Sequence, residues 1–162
     1  MRASWTPSPH WAVQVSHGRL KSPEEDHPGE DERRTTATLH YAAGGLTTTL
    51  GYGLKDRVGG RALPAWLGEA TWEIGRHHVV FGRAELVRND ELFPDEIDPR
   101  HDRPFRVARV EGGYAYRLPI SGPFGVALGG SVAGYAKPRA LDSAYGNAPV
   151  SGTLFAKLVL GL

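Results

Sequence analysis

The stretch Leu46-Thr47-Thr48-Thr49-Leu50-Gly51-Tyr52-Gly53-Leu54 decides the fold class, because two kinds of side chain alternate along it. Leucine, tyrosine and one threonine occupy the even positions, and only threonine or glycine occupies the odd ones. Successive side chains of a β-strand point to opposite faces, whereas a helix needs apolar residues three and four positions apart. The stretch therefore predicts a β-strand with one apolar face and one face of small or polar residues.

Similar alternation recurs in further segments, and we count eight predicted strands, the others being 11–16, 36–41, 66–74, 78–88, 109–118, 124–133 and 153–162. Most run for about ten residues, the length of a tilted membrane-crossing strand, whereas strands of soluble proteins average about five to six. The opening residues 4–9 contain two prolines and read as a turn that enters the first strand. The pattern therefore predicts an all-β protein.

The segment 66–74 also has a helical interpretation. Helical i, i+3, i+4 spacing would group Leu63, Trp66, Leu67, Ala70 and Ile74 on one side. Gly68 interrupts that helix and Trp72 falls off its apolar stripe, so we favour a strand.

The connections between the predicted strands alternate between long and short. Loops at 17–32, 55–63, 89–104 and 137–149 alternate with turns at 43–45, 75–77 and 119–123. Outer-membrane barrels have short turns on the periplasmic side and longer loops outside. We therefore expect residues 1–162 to form one antiparallel up-and-down β-barrel of about eight strands, transmembrane in type, with both chain ends on the short-turn side.

Composition excludes several other classes of protein. A chain of 162 residues suits one domain, and 19 basic against 18 acidic side chains leave no positive excess for nucleic acid. The absence of cysteine excludes a disulfide scaffold and a thiolate zinc site. No stretch approaches the roughly 18–20 apolar residues of a membrane-spanning helix. Residues 1–7 lack the apolar core of a signal peptide, so we expect a mature chain or part of a longer one.

One face of the predicted strands is apolar, and the other combines small residues with a balanced set of charges. The charged positions are four acids and four bases, namely Glu69, Glu73, Glu85, Glu111, Arg83, Arg109, Arg117 and Lys157. In a soluble barrel these side chains would face water, whereas in a membrane barrel they would line the interior as ion pairs. The predominance of small residues between them, and the aromatic residues toward strand ends on the apolar face, favour the membrane barrel.

Two carboxylates, Glu69 and Glu73, share a face with only Thr71 between them and could in principle exchange protons. We interpret them instead as members of the interior ion-pair network with the four bases. The sequence contains no Gly-x-Ser-x-Gly and no Gly-x-Gly-x-x-Gly motif. We therefore assign no catalytic residue.

Metal binding has one weak candidate in the sequence. His77 and His78 are adjacent, so in a strand they point to opposite faces. His101 lies in an acidic loop whose oxygen-bearing neighbours are Asp95, Glu96, Asp98 and Asp102. The spacing is not that of an EF-hand loop, and we expect a solvated loop, with neither metal nor cofactor.

The whole pattern resembles bacterial outer-membrane β-barrel proteins, either of the eight-stranded OmpA/OmpX-like type or the C-terminal part of a porin-like chain. The stretches at 33–39, 81–85 and 154–158 are similar to uncharacterised proteobacterial outer-membrane proteins. That family usually ends in an aromatic residue, whereas this sequence ends in Leu162. The resemblance implies the outer membrane of a Gram-negative bacterium, with membrane lipid or lipopolysaccharide and the barrel-assembly machinery as partners.

The function expected from this resemblance is non-enzymatic. An eight-stranded barrel would be filled by side chains and act as a structural or surface module, whereas a larger barrel would be a porin-like passive solute pore. Two alternatives remain open: a soluble lipocalin-like barrel that binds an apolar small molecule, and a lipid-modifying outer-membrane enzyme. The sequence leaves the oligomeric state open.

Overall fold

A computed structural model describes residues 1–23, 29–57, 61–93, 95, 97–120 and 124–160. These residues form one antiparallel sheet of nine strands, ordered as they follow one another in the chain. The strands are β1 (Arg2–Ser8), β2 (Trp11–Leu20), β3 (Glu32–Ala43), β4 (Leu46–Arg57), β5 (Ala62–Ile74), β6 (His78–Asn89), β7 (Phe105–Arg117), β8 (Phe124–Ala136) and β9 (Val150–Leu160). A 3₁₀ turn (Arg139–Leu141) and a short helix, α1 (Asp142–Tyr145), lie between β8 and β9.

The predicted alternation of connections is confirmed in order, since each long connection is longer than the two beside it, but the expected long loop at 55–63 is reduced to 58–61. One end of the sheet, the short-turn end, carries the connections 9–10, 44–45, 75–77 and 118–123. The other, the long-loop end, carries 21–31, 58–61, 90–104 and 137–149. The tightest turn depends on two glycines, since Gly44 and Gly45 have φ of 57° and 80°, as a type I′ hairpin turn requires.

The predicted number of strands is wrong by one, because Arg2–Ser8 forms β1 rather than a turn. Proline is tolerated on an edge strand, and the register of β1 with β2 shifts between Trp5 and Ser8 near the first of the two prolines. The extra strand reverses the expected position of the chain start. The first residues of β1 lie at the long-loop end, while β9 runs toward the short-turn end, so the two ends do not share one side.

Strands also extend beyond the predicted apolar segments. Residues 17–20, 55–57 and 62–63, expected in loops, belong to β2, β4 and β5, and the last strand begins earlier, at Val150. These extensions are polar or pair with polar neighbours, as in Arg19 opposite Arg33. Alternation of apolar side chains therefore marks the middle of each strand but not its ends.

The register keeps the two predicted faces separate across the sheet. Along one line of neighbours, Leu39 lies opposite Leu50 and Leu50 opposite Gly68, on what we call the apolar face. Along another line, Glu69 lies opposite Arg83 and Arg83 opposite Glu111, on the charged face. Segment 66–74 lies wholly within β5, so the strand interpretation is confirmed.

Burial is the reverse of that in a soluble β-protein. All buried strand residues in the described part of the chain lie on the charged face, and they are Glu32, Arg57, Leu63, Phe105, Ala115 and Ala133. Large side chains of the apolar face are open to the surroundings: Trp66 is 56% exposed, Val110 64% and Leu154 92%. A soluble monomer rarely leaves a continuous apolar surface of this extent uncovered.

The described sheet is not closed. Strands β1 and β9 are its two edges, and they neither pair nor contact each other within the described residues. Because the sheet has an odd number of antiparallel strands, β1 and β9 run in the same direction. The expected closed barrel is therefore not present in these nine strands, and the finding is an open up-and-down sheet.

Two glycines allow aromatic packing on the charged face. Phe81 of β6 lies over Gly113 and Phe155 of β9 lies over Gly129, and the two rings meet with centroids 6.1 Å apart. A Cβ on Gly113 would stand 2.2 Å from Phe81 Cζ and 2.9 Å from the Gly130 carbonyl oxygen. The two rings thus connect strands that are not neighbours in the sheet.

We expect Gly113→Ala to destabilise the fold by about 1–3 kcal/mol, because the added methyl group overpacks against both a ring and backbone. Gly112→Ala is the matched control, since its Cβ would meet nothing within 4 Å on the opposite face. Urea unfolding of the two variants measures the difference. Equal losses in both variants would contradict the packing described for Phe81.

Candidate functional site

The centre of the charged face holds a chain of ion pairs across β5, β6 and β7. Arg83 lies 3.5 Å from Glu69 and 2.5 Å from Glu85. Arg109 lies 2.6 Å from Glu111 and 3.9 Å from the same Glu85. Five of the eight charged residues singled out from the sequence therefore lie in one continuous cluster. Ser131 of β8 extends it by donating a hydrogen bond of 2.6 Å to Glu111.

A second cluster lies on the same face near the short-turn end. The Arg117 guanidinium donates two hydrogen bonds to the Glu73 carboxylate, which joins β7 to β5 across the strand between them. His77, in the neighbouring turn, donates from Nδ1 to the Arg117 carbonyl oxygen at 2.9 Å. Lys157 of β9 makes no ion pair with the described residues, although its charge acts on Glu73 at longer range.

The most buried charges form a third cluster, at the long-loop end, which the sequence reasoning missed. Arg57 lies 2.9 Å from Asp90, and their side chains are only 8% and 7% exposed. Glu32, opposite Arg57 in the sheet, is 2% exposed and lies 3.3 Å from Lys55. Lys55 also reaches Glu91 at 2.6 Å. The cluster ties β3 and β4 to the start of the loop that follows β6.

A signal for this third cluster was present in the sequence. The odd positions of β4, Gly51 and Gly53, continue into Lys55 and Arg57 without a change of period. The predicted strand ends at Leu54, which leaves the two basic residues in the predicted loop 55–63. Extending the alternation by three residues would have placed both cations on the charged face.

The acidic loop does not assemble the suggested metal ligands. Asp98 is bound by Arg100, whose hydrogen bonds lower the pKa of that carboxyl to about 2. His101 bonds to the Phe93 carbonyl oxygen through Nδ1, and Asp95 accepts a hydrogen bond from the Ile97 backbone. Glu96 lies outside the described residues. Within the described part of the chain, no group of three His, Asp or Glu side chains stands close enough to hold a metal ion. Asp102 belongs to no such group either.

The two longest loops pack against each other above the charged face. Phe93 and Leu141 come from different loops and form a small apolar core with Phe105 at the start of β7. Arg100 covers the Phe93 ring at 3.9 Å, and a cavity of about 270 Å³ opens beside Leu141. The described residues of these loops therefore lie over the long-loop end of the sheet.

Comparison with known protein families, with curated proteins and with solved structures found no match to this chain. In the described residues, none of the helical segments has the length and apolar character needed to cross a membrane. The charged face of the sheet carries paired ions at the long-loop end, at the centre and near the short-turn end.

We expect Asp90→Ala to destabilise the protein by about 1.5–3 kcal/mol, because the buried Arg57 guanidinium loses a charge-assisted hydrogen bond of 2.9 Å and keeps the longer ion pairs with Glu32 and Glu91. Glu69→Ala is the comparison, since its side chain is 42% exposed and solvent screens the pair with Arg83. That change should cost about 1 kcal/mol or less. Unfolding titrations of both variants test the ranking, and a Glu69→Ala loss as large as that of Asp90→Ala would contradict it.

Proposed function

We propose that this chain forms part of the wall of a β-barrel in the outer membrane of a Gram-negative bacterium. Its apolar face would contact lipid, and its charged face would line an interior through which small solutes pass without chemistry. The reversed burial of the sheet is the observation that supports the proposal. Apolar side chains on the exposed face and paired ions on the covered face are the arrangement of a barrel in lipid.

Strand length supports the membrane orientation. β3, β4 and β6 each have 12 residues. At about 3.3 Å per residue such a strand is about 40 Å long, and a tilt of about 40° reduces its height to about 30 Å. That height equals the hydrocarbon thickness of a typical bilayer.

Aromatic side chains of the apolar face fit a lipid interface. Trp11 and Tyr41 pack together at the short-turn end, with ring centroids 4.7 Å apart. Tyr52 and Trp66 form a similar pair at 4.6 Å, but near the middle of β4 and β5, so the interface argument rests on Trp11 and Tyr41. Tryptophan and tyrosine are favoured at the headgroup level because one side of the ring system is apolar and the other can hydrogen-bond.

A soluble lipocalin-like binder is the less favoured candidate. In that class the apolar face would be the inner one, wrapped around a ligand, and the charged face would be solvated. The most buried strand residues here lie instead on the charged face, including the ion-paired Glu32 and Arg57.

The direction of the edge strands favours a barrel larger than nine strands. In lipid, every backbone N–H and C=O needs a partner, so the edges at β1 and β9 must be completed. Pairing them directly would introduce a parallel pair into an otherwise antiparallel sheet. Additional strands would preserve the antiparallel order and widen the interior into a channel.

We expect the chain, diluted from urea, to acquire β-type circular dichroism in detergent micelles, where the edge strands of separate copies can pair, and to aggregate in plain buffer. The physical reason is that only an apolar solvent can cover the apolar face. Sedimentation and circular dichroism in the two media make the comparison. A folded, monodisperse protein in plain buffer would contradict membrane insertion and favour the soluble barrel.

We expect a chain carrying Ser4→Cys and Thr153→Cys to form no intramolecular cross-link in micelles, because β1 and β9 do not meet. The natural sequence has no cysteine, so the two introduced thiols react alone. Ser4→Cys with Gln14→Cys is the positive control, since those residues are opposite each other in the sheet. Efficient cross-linking of the test pair within one chain would mean a closed nine-stranded barrel without a channel.

A further inference from the structure

We propose that Arg88 and Arg106 form a binding site for phosphate-bearing lipid headgroups at the long-loop end of the apolar face. The inference rests on the proposed function, because it takes the apolar face to lie in a membrane. It adds a lipid partner of stated chemistry and the two residues that bind it.

The two arginines are direct neighbours across β6 and β7. Both are exposed, and neither makes a hydrogen bond or an ion pair with any described residue. Like charges placed opposite each other destabilise a sheet unless something of opposite charge lies between them. Among the described residues, the pair is therefore a cationic site without a counter-ion, next to the apolar middle of β6 and β7.

Other arginines on this face and at this end have carboxylates near them. Arg19 pairs with Asp31 at 2.7 Å. Arg33 lies between Arg19 and Asp56 in the register of the sheet, so an acid flanks it, although the two form no ion pair within 4 Å. On the charged face, Arg83, Arg109 and Arg117 are all paired. The acids closest in sequence to Arg88, Asp90 and Glu91, contact Arg57 and Lys55 in the buried cluster.

The position of the pair along the strands matches a headgroup. On the same face, the next cross-strand pair toward the middle of β6 and β7 is Leu86 with Ala108. The pair after it is Ala84 with Val110. Arg88 and Arg106 thus stand one strand repeat, about 7 Å, beyond the last apolar pair. A lipid whose chains lie against those residues would bring its phosphate to the level of the guanidinium groups.

Phosphate is an anionic group of the lipid headgroup that two neighbouring guanidinium groups bind well. Arginine presents a planar fork of donors that binds phosphate oxygens in pairs, and two adjacent forks can share one phosphate. The same anion would remove the repulsion between the two side chains. A phosphomonoester headgroup, with its higher charge, is the preferred occupant.

The test measures lipid retained by the protein. The chain is refolded into phosphatidylcholine vesicles with and without phosphatidic acid, extracted in mild detergent, and the bound lipid is quantified by mass spectrometry. We expect enrichment of phosphatidic acid on the natural chain and a fall of roughly fivefold for each of Arg88→Gln and Arg106→Gln. Arg76→Gln, an exposed arginine at the short-turn end, is the control and should leave the enrichment unchanged.

The possible outcomes separate the headgroup site from membrane insertion. Insertion into phosphatidylcholine with no enrichment of phosphatidic acid, or an equal loss in Arg76→Gln, overturns the headgroup site while membrane insertion stands. Failure of the chain to associate with any vesicle overturns both. In phosphatidylcholine alone, the double variant should unfold at no lower urea concentration than the natural chain, because it removes a repulsion. A lower midpoint would mean that the two arginines serve the fold itself.

Discussion

The antiparallel register that continues from β1 to β9 is the constraint on which the rest of the structure depends. Side chains alternate between faces with a period of two, so a slip by one residue on any strand would move its leucines onto the charged face. Because the register holds, Glu69, Arg83 and Glu111 become neighbours across three strands while Leu50 and Trp66 stay on the other side. The separation of the two faces follows from this register alone.

The charged face needs partners for its ions and space for its large side chains. The ion pairs supply the first requirement at three levels, from Arg57 with Asp90 at one end to Arg117 with Glu73 at the other. Glycines supply the second, since Gly113 and Gly129 leave room for two phenylalanine rings to lie along the sheet. The face is therefore closely packed around Arg57 and around the two phenylalanine rings, and it is open to solvent around Glu69 and Glu73.

At the long-loop end, the two faces of β6 and β7 carry charged side chains whose pairing differs. The strands β6 and β7 carry ion-paired side chains on the charged face, and on the apolar face Arg88 and Arg106, which make no ion pair with the described residues. In the wall of a barrel this difference has a simple physical cause. The interior must neutralise its charges with protein groups, whereas the outer rim can use the charged headgroups of the surrounding lipid.

The sequence by itself determined the class of fold, the middle of eight of the nine strands, and the two faces, because a period of two is a local property of the chain. It also placed Glu69, Glu73, Arg83, Glu85, Arg109, Glu111 and Arg117 on one face. Only the tertiary structure decided which ions pair, since Arg117 meets Glu73 across an intervening strand and Arg57 meets Asp90 beyond the end of one. It likewise decided that residues 2–8 form a strand, because an edge that contains proline is specified by its partner β2 and not by its own alternation. Only the tertiary structure decided that the edges at β1 and β9 are open. Closure depends on the number and direction of the strands, and no local pattern of residues carries that information.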